Sequence, residues 1–149
     1  MSPESEEFMR IMAIDYGDAH TGIAVSDPTG LLAGFTATVD AYRPEDAAER
    51  IAALAKEHGA EELVLGHPIN MDGTLGPRSE KARAMKVLLE ERTGLPVVLW
   101  DERRTTIDAH WILMNSGKDA RKRKKTVDAV AASLILEGYL TYKKSHPRG

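Results

Sequence analysis

Apolar and polar positions change their period along this chain, and the changes mark out its elements. Phe8-Met-Arg-Ile-Met-Ala-Ile-Asp15 is a short apolar run that ends on an acid, a strand pattern. Gly17 and Gly22 bracket a turn, and Gly22-Ile-Ala-Val-Ser-Asp27 reads as a second strand. Asp27-Pro-Thr-Gly30 is turn chemistry and residues 31–39 resume as a third strand, so the chain opens as an antiparallel meander. The period then becomes helical. Pro44, Glu45 and Asp46 start a helix over 44–58, with Ala47, Ala48, Ile51, Leu54 and Ala55 on its apolar face. Residues 62–66 are a buried strand, 67–77 a loop of turn residues and 79–92 a second helix. Residues 95–100 make a further strand, with Asp101 and Glu102 at its C-terminal end. Thr105 or Thr106 can cap a third helix to Met114, and Thr126 a last helix over 127–142, reached from Gly117 through a basic loop.

The expected order is β-β-β-α-β-α-β-α-α. A meander followed by βα units predicts an α/β domain with a mixed five-stranded sheet, helices on its faces and residues 11–15 in the central strand. The right-handed crossover rule leaves few connections, one of them the ribonuclease-H-like arrangement.

Composition fits one such domain. The 149 residues are 42% hydrophobic and 29% charged, enough for a core and too apolar for disorder. With 5% aromatics, that core is built from Ala, Val, Leu and Ile. There is no cysteine, which excludes a disulfide scaffold, a cysteine zinc site and a thiol nucleophile. No apolar run approaches the roughly 20 residues that span a bilayer, and the acidic start is no signal peptide, so a cytoplasmic protein without a membrane partner is expected. The expected organisation is a flexible acidic segment over 1–8, a single domain over 9–142 and a basic tail over 143–149.

Charge is unevenly spread. Residues 1–100 carry net −8 and residues 101–149 net +5. The steepest stretch is Lys118-Asp-Ala-Arg-Lys-Arg-Lys-Lys125, expected as a mobile loop, whose Lys118, Arg121, Lys122, Arg123, Lys124 and Lys125 suit a polyanion. Arg103 and Arg104 add to it directly after Glu102.

Three acids fall where phosphodiester chemistry can use them. Asp15 ends the first strand, Glu102 follows the last, and Asp128 sits in the first turn of the final expected helix. Open α/β sheets gather their sites beyond strand ends, and carboxylates there can hold Mg²⁺ or Mn²⁺. Two such ions about 3.5–4 Å apart activate a water and steady the leaving oxygen. Each acid alone has an ordinary explanation in solvent or the helix dipole. Asp128 is less ordinary, since it shares a helical stripe with Ala131, Ala132, Ile135 and Tyr139. Of the rest, His58, His67, His110 and His146 show no metal-ligand spacing and read as structural or surface residues, and Ser26 and Ser79 have no base at recognisable spacing. Trp100 and Trp111 read as packing, and Asn70-Met-Asp-Gly73 as a turn or a substrate contact.

Four blocks carry a resemblance. Asp15-Tyr-Gly-Asp-Ala-His-Thr-Gly-Ile-Ala-Val-Ser-Asp27, Leu65-Gly-His-Pro-Ile-Asn-Met-Asp-Gly-Thr74, Asp101-Glu-Arg-Arg-Thr-Thr106 and Val127-Asp-Ala-Val-Ala-Ala-Ser-Leu-Ile-Leu-Glu137 resemble, in order, those of the YqgF/RuvX family. That family has a ribonuclease-H-like fold and is described both as Holliday junction resolvases and as nucleases that mature the 5′ end of 16S rRNA precursors. The resemblance implies that Asp15, Glu102 and Asp128 are catalytic and metal-binding, with Asp101 a supporting acid whose side chain points away from that of Glu102. It implies a metal-dependent endonuclease acting on branched DNA or precursor rRNA, as a monomer or, for paired cuts, a homodimer. His20 departs from the pattern, standing where the family usually has Arg or Lys; an exposed residue of the hairpin turn is expected there. The alternatives are a catalytically silent nucleic-acid-binding or ribosome-assembly factor on the same fold and, less well supported, an actin-like ATPase, for which one short domain has no second phosphate loop.

Overall fold

The computed structural model describes residues 9–27, 33–68, 72–101 and 120–145, with the backbone alone at 33, 120–128, 144 and 145. The elements are β1 (Ile11–Asp15), β2 (His20–Ser26), β3 (Ala33–Asp40), α1 (Pro44–Glu57), β4 (Glu62–His67), α2 (Pro77–Thr93), β5 (Val97–Asp101) and α3 (Ala120–Ser145). The helix expected over 105–114 lies outside the described residues.

The sheet order is β3-β2-β1-β4-β5. The pairs β1–β2 and β2–β3 are antiparallel, as the meander predicts, whereas β1–β4 and β4–β5 are parallel. β1 is the central strand. Its alternation splits the core between the two faces. Met12 and Ile14 pack with Leu63, Leu65 and Val97 against Ala47, Ala48 and Ile51 of α1 and Ala82, Met85 and Leu89 of α2. Ile11 and Ala13 pack with Ala24, Val64 and Trp100 against Ala132, Ile135, Leu136 and Tyr139 of α3. This is the expected α/β arrangement, with α1 and α2 on one face and α3 on the other.

Local chemistry accounts for the helices on the first face. α1 and α2 each begin with a proline, where the missing N–H costs nothing, and α2 stops at Gly94, whose φ of 69° suits glycine. Glu45 and Asp46 in the first turn of α1 and Lys56 in its last oppose the helix dipole favourably.

α3 departs from expectation at both ends. The segment from Ala120 to Lys125 is helical and not a loop, and Thr126 lies inside the helix and does not cap it. Ala, Arg and Lys are strong helix formers, and no Gly or Pro interrupts residues 118–137, so the apolar stripe that begins near Val127 extends backwards into them. At the other end the helix runs three residues past Tyr142, to Ser145. Lys143 is therefore part of the helix rather than of a tail.

The C-terminal part of α3 is anchored at the start of β4. Glu62, only 5% exposed, accepts hydrogen bonds from the Tyr139 hydroxyl at 3.1 Å and from Lys143 Nζ at 3.0 Å. Trp100 meets the rings of Tyr139 and Tyr142 edge-on, both at 5.7 Å. A buried carboxylate with two donors is costly to disrupt from one side. Glu62→Ala strands both donors and is expected to destabilise the fold by about 3 kcal/mol, against about 1 kcal/mol for Tyr139→Phe. Urea denaturation checks both values.

Candidate active site

Asp15 is the last residue of the central strand, and strand alternation places it on the face of Ile11 and Ala13, over which α3 runs. Its neighbours on that face are glycines. Gly22 is its direct partner on β2, and the β1–β4 register, which pairs Ile14 with Leu65, brings Gly66 beside it when carried one residue further. Beyond them stand Thr38 on β3, opposite Gly22, and Trp100 on β5, opposite Gly66. The carboxylate thus sits at a strand end between two positions that contribute no side chain.

The turn that follows is tightly built. A Cβ on Gly17 would run into the carbonyl oxygen of His20, so only glycine fits there. Asp18 accepts a 2.8 Å bond from Lys81 of α2, which ties the hairpin to that helix. The same bond and the charge of Lys81 lower the pKa of Asp18 from 3.8. Burial, followed by the charge of Asp18, raises that of Tyr16.

The C-terminal part of α3 is held at Glu62 of β4 and against Trp100 of β5, and the helix packs over β1 and β2 on the face of Asp15. The Asp128 side chain, with Glu102, Arg103, Arg104 and Lys118, lies outside the described residues, as do the side chains of Arg121, Lys122, Arg123, Lys124 and Lys125. Among the described residues no three His, Asp or Glu side chains gather as a metal site.

Asp101 is placed on the other face. It follows Val97 and Leu99 in alternation, so it lies on the side of α1 and α2, opposite His67 in the β4–β5 register. It does not join Asp15.

Two histidines have defined partners. His20 is not a residue of the turn but the first of β2, and its Nδ1 lies 2.7 Å from Asp40 Oδ1 across the β2–β3 pair. That contact holds the ring against Asp40. His67 Nε2 lies 2.5 Å from the hydroxyl of Ser79, twelve residues away. Ser79 thus has a base beside it after all, yet it is fully buried and out of reach of any substrate. Desolvation, then the charge of Arg83, lowers the His67 pKa from 6.5, with Asp101 opposing. Alternation of β4 was the only sequence signal, since it puts His67 on the face of Leu63 and Leu65, where α2 packs. Ser26 is structural, its hydroxyl accepting the Ile11 N–H at 2.9 Å. Trp100 is core, as expected, at 7% exposure. In the loop, Asp72 accepts bonds from the backbone N–H and hydroxyl of Thr74, a local turn that lowers its pKa.

With the sheet, its glycine-flanked acid and the last helix packed on that face in place, the match to known proteins is direct. The family model described as "RuvX: Holliday junction resolvase" covers residues 9–142. The chain belongs to the RuvX family. A relative from Halothermothrix orenii is 43% identical over 135 residues, 91% of this chain and 96% of its own, and is named "Putative pre-16S rRNA nuclease". A Geobacillus kaustophilus relative of the same name is 41% identical over 91% of this chain and all of its own. Among solved structures, Thermus thermophilus RuvC in complex with a Holliday junction substrate superposes with a TM-score of 0.61 at 16% identity, over 90% of this chain and 96% of that one. The fold is that of the ribonuclease-H-like nucleases, as the resemblance implied. The protein is accordingly a nuclease, a hydrolase of nucleic acid. No helix among the described residues is long and apolar enough to cross a membrane.

Proposed function

We propose that this nuclease hydrolyses phosphodiesters by attack of water at the edge marked by Asp15, with Asp15, Glu102 and Asp128 as its catalytic carboxylates. The observation that carries the reading is the place of Asp15: an acid at the end of the central strand, under α3, with glycine on both flanks. A carboxylate there offers hard oxygen donors, and the missing side chains leave room for a hydrated ion and a phosphate. The three carboxylates would hold two ions, Mg²⁺ or Mn²⁺, which when bound supply an activated water and charge stabilisation at the leaving oxygen. Held as ligands, the carboxylates form no covalent intermediate with the substrate. Asp101, turned to the other face, acts only as a support to the strand that leads to Glu102.

The proposed substrate is structured RNA at the 5′ end of a 16S precursor, supported by the names of relatives more than 40% identical over nine tenths of the chain. A four-way DNA junction is the second reading, supported by the description of the family model. Paired cuts in a junction call for a homodimer, and trimming one RNA end does not.

Cleavage of precursor RNA, four-way junction and linear duplex measured side by side tests the reading. Precursor RNA is expected to be cut fastest, with turnover abolished by chelator and restored by Mg²⁺ or Mn²⁺. Preference for the junction would reverse the substrate assignment. Undiminished cleavage after exhaustive chelation would overturn the metal-dependent mechanism, and no cleavage of any substrate under any metal would favour a silent binding factor.

A further inference from the structure

We propose that His20, held by Asp40, is a catalytic residue of this nuclease: its Nε2 gives the leaving oxygen of the phosphodiester the proton that makes it a hydroxyl. The inference rests on the reading of the Asp15 edge as the place of hydrolysis. Asp15 pairs directly with Gly22, and His20 stands two residues before Gly22 on the same strand. Alternation therefore puts His20 on the face of Asp15, together with Ala24, which packs with Ile11 and Ala13. Diagonal neighbours of this kind on an antiparallel pair stand about 7–8 Å apart, within reach of long and aromatic side chains. Gly22 puts no side chain between them. The tight turn at Gly17, where a Cβ would meet the His20 carbonyl oxygen, returns the chain so that β2 starts at this edge.

The ring is fixed in orientation. Asp40 is the register partner of His20 on β3, and its Oδ1 lies 2.7 Å from Nδ1. An ionised carboxylate only accepts, so Nδ1 carries a proton and Nε2 is the nitrogen left to exchange one. β1 and β3 flank β2 on opposite sides. A ring tied toward β3 through Nδ1 turns Nε2 away from β3, to the side of Asp15. Asp40 is itself held, its carbonyl accepting from Arg50 Nη1 at 2.8 Å, and the next backbone N–H, that of Ala41, donates to the Ala19 carbonyl at 3.0 Å. Side-chain exposures of 26% for His20 and 45% for Asp40 leave the pair open to water, which can reprotonate the ring. In the step, water adds to phosphorus, the bond from phosphorus to the bridging oxygen breaks, and that oxygen takes the Nε2 proton. The proton lost by the water goes to solvent, and solvent returns one to Nε2. Asp15, an ionised carboxylate, has no proton to give. A permanent cation in place of His20 would supply charge alone, whereas an oriented imidazole adds a proton that can be transferred.

The test uses the nucleic acid that is cut fastest in the side-by-side assay, prepared also with sulfur in place of the bridging oxygen that leaves at the mapped site. A thiolate departs without a proton. Both substrates are cleaved in Mn²⁺, which accepts sulfur better than Mg²⁺, by wild type, His20→Gln, His20→Arg and Asp40→Asn. Gln keeps a bond to Asp40 without a transferable proton, and Arg keeps a positive charge. On the oxygen substrate His20→Gln and His20→Arg are expected to lose about 100-fold or more in kcat, the range for a positioned acid, with nucleic-acid affinity nearly unchanged. Asp40→Asn should lose less. On the sulfur substrate each variant is expected to approach wild type. Oxygen-substrate turnover near wild type in both His20 variants would overturn the proposal. So would equal losses on the two substrates, the mark of a merely structural pair, or kcat restored by His20→Arg, the mark of a charge contact to phosphate. Asp15→Asn separates the two levels. If it abolishes cleavage while the His20 variants are normal, the proton donor alone is wrong; if it leaves cleavage intact, the reading of the edge fails and the proton donor with it.

Discussion

Asp15→Asn is expected to remove cleavage by at least about a thousand-fold, roughly 4 kcal/mol of barrier, while leaving nucleic-acid binding and the fold in place. Asn is isosteric, so the strand end, the Gly22 and Gly66 flanks and the packing beneath are undisturbed. What changes is charge. A neutral amide is a poor partner for a divalent ion and cannot offset the charge that builds on a phosphate under attack. The loss should fall on kcat, because groups that hold the rest of the nucleic acid are untouched. Glu102→Gln and Asp128→Asn should behave alike, and the three losses should not add, since the carboxylates act as one unit. Full turnover in a purified Asp15→Asn protein would refute the assignment of the site. Titration of Mn²⁺ into each variant gives a second measure that does not depend on turnover.

Loss of the basic residues of α3 should show in binding and in its salt dependence rather than in kcat. The first turn of the helix carries no acid, so its bases oppose the positive end of the helix dipole, an arrangement that a polyanion relieves. Arg121 and Lys124 stand seven and four residues before Asp128, on the same helical stripe, while Lys122 and Arg123 fall on the other side. The pair Arg121→Ala with Lys124→Ala should therefore weaken binding more than Lys122→Ala with Arg123→Ala. Each phosphate that is no longer neutralised by a basic side chain should flatten the log–log salt slope by roughly 0.7–0.9. Cleavage at saturating substrate should change little. Equal effects from both pairs would refute the stripe, and no effect from either would mean that nucleic acid approaches from another side.

Much of this was legible in the chain itself. Period two gave way to period 3.6 at Pro44, and the acid at the end of the first strand was visible as the last letter of an apolar run. Those features are local, because alternation and helical spacing depend on residues a few positions apart. The sequence by itself therefore determined the elements up to β5, the two-faced core and the family to which the four blocks belong. The limits of α3 were less legible, because the change from charged to apolar residues near Val127 looks like a boundary although helix propensity continues across it.

Tertiary structure decided what meets what. Strand order and register set Gly22 and Gly66 beside Asp15, paired His20 with Asp40 and turned Asp101 to the face away from Asp15. They also brought His67 to Ser79 across twelve residues that show no motif. Such neighbours follow from the sheet and its packing, where a shift of one residue in register would move a side chain to the opposite face. The sequence determined which residues could do chemistry. Only the folded sheet decided which face each would share, because that choice is made between strands and not along them.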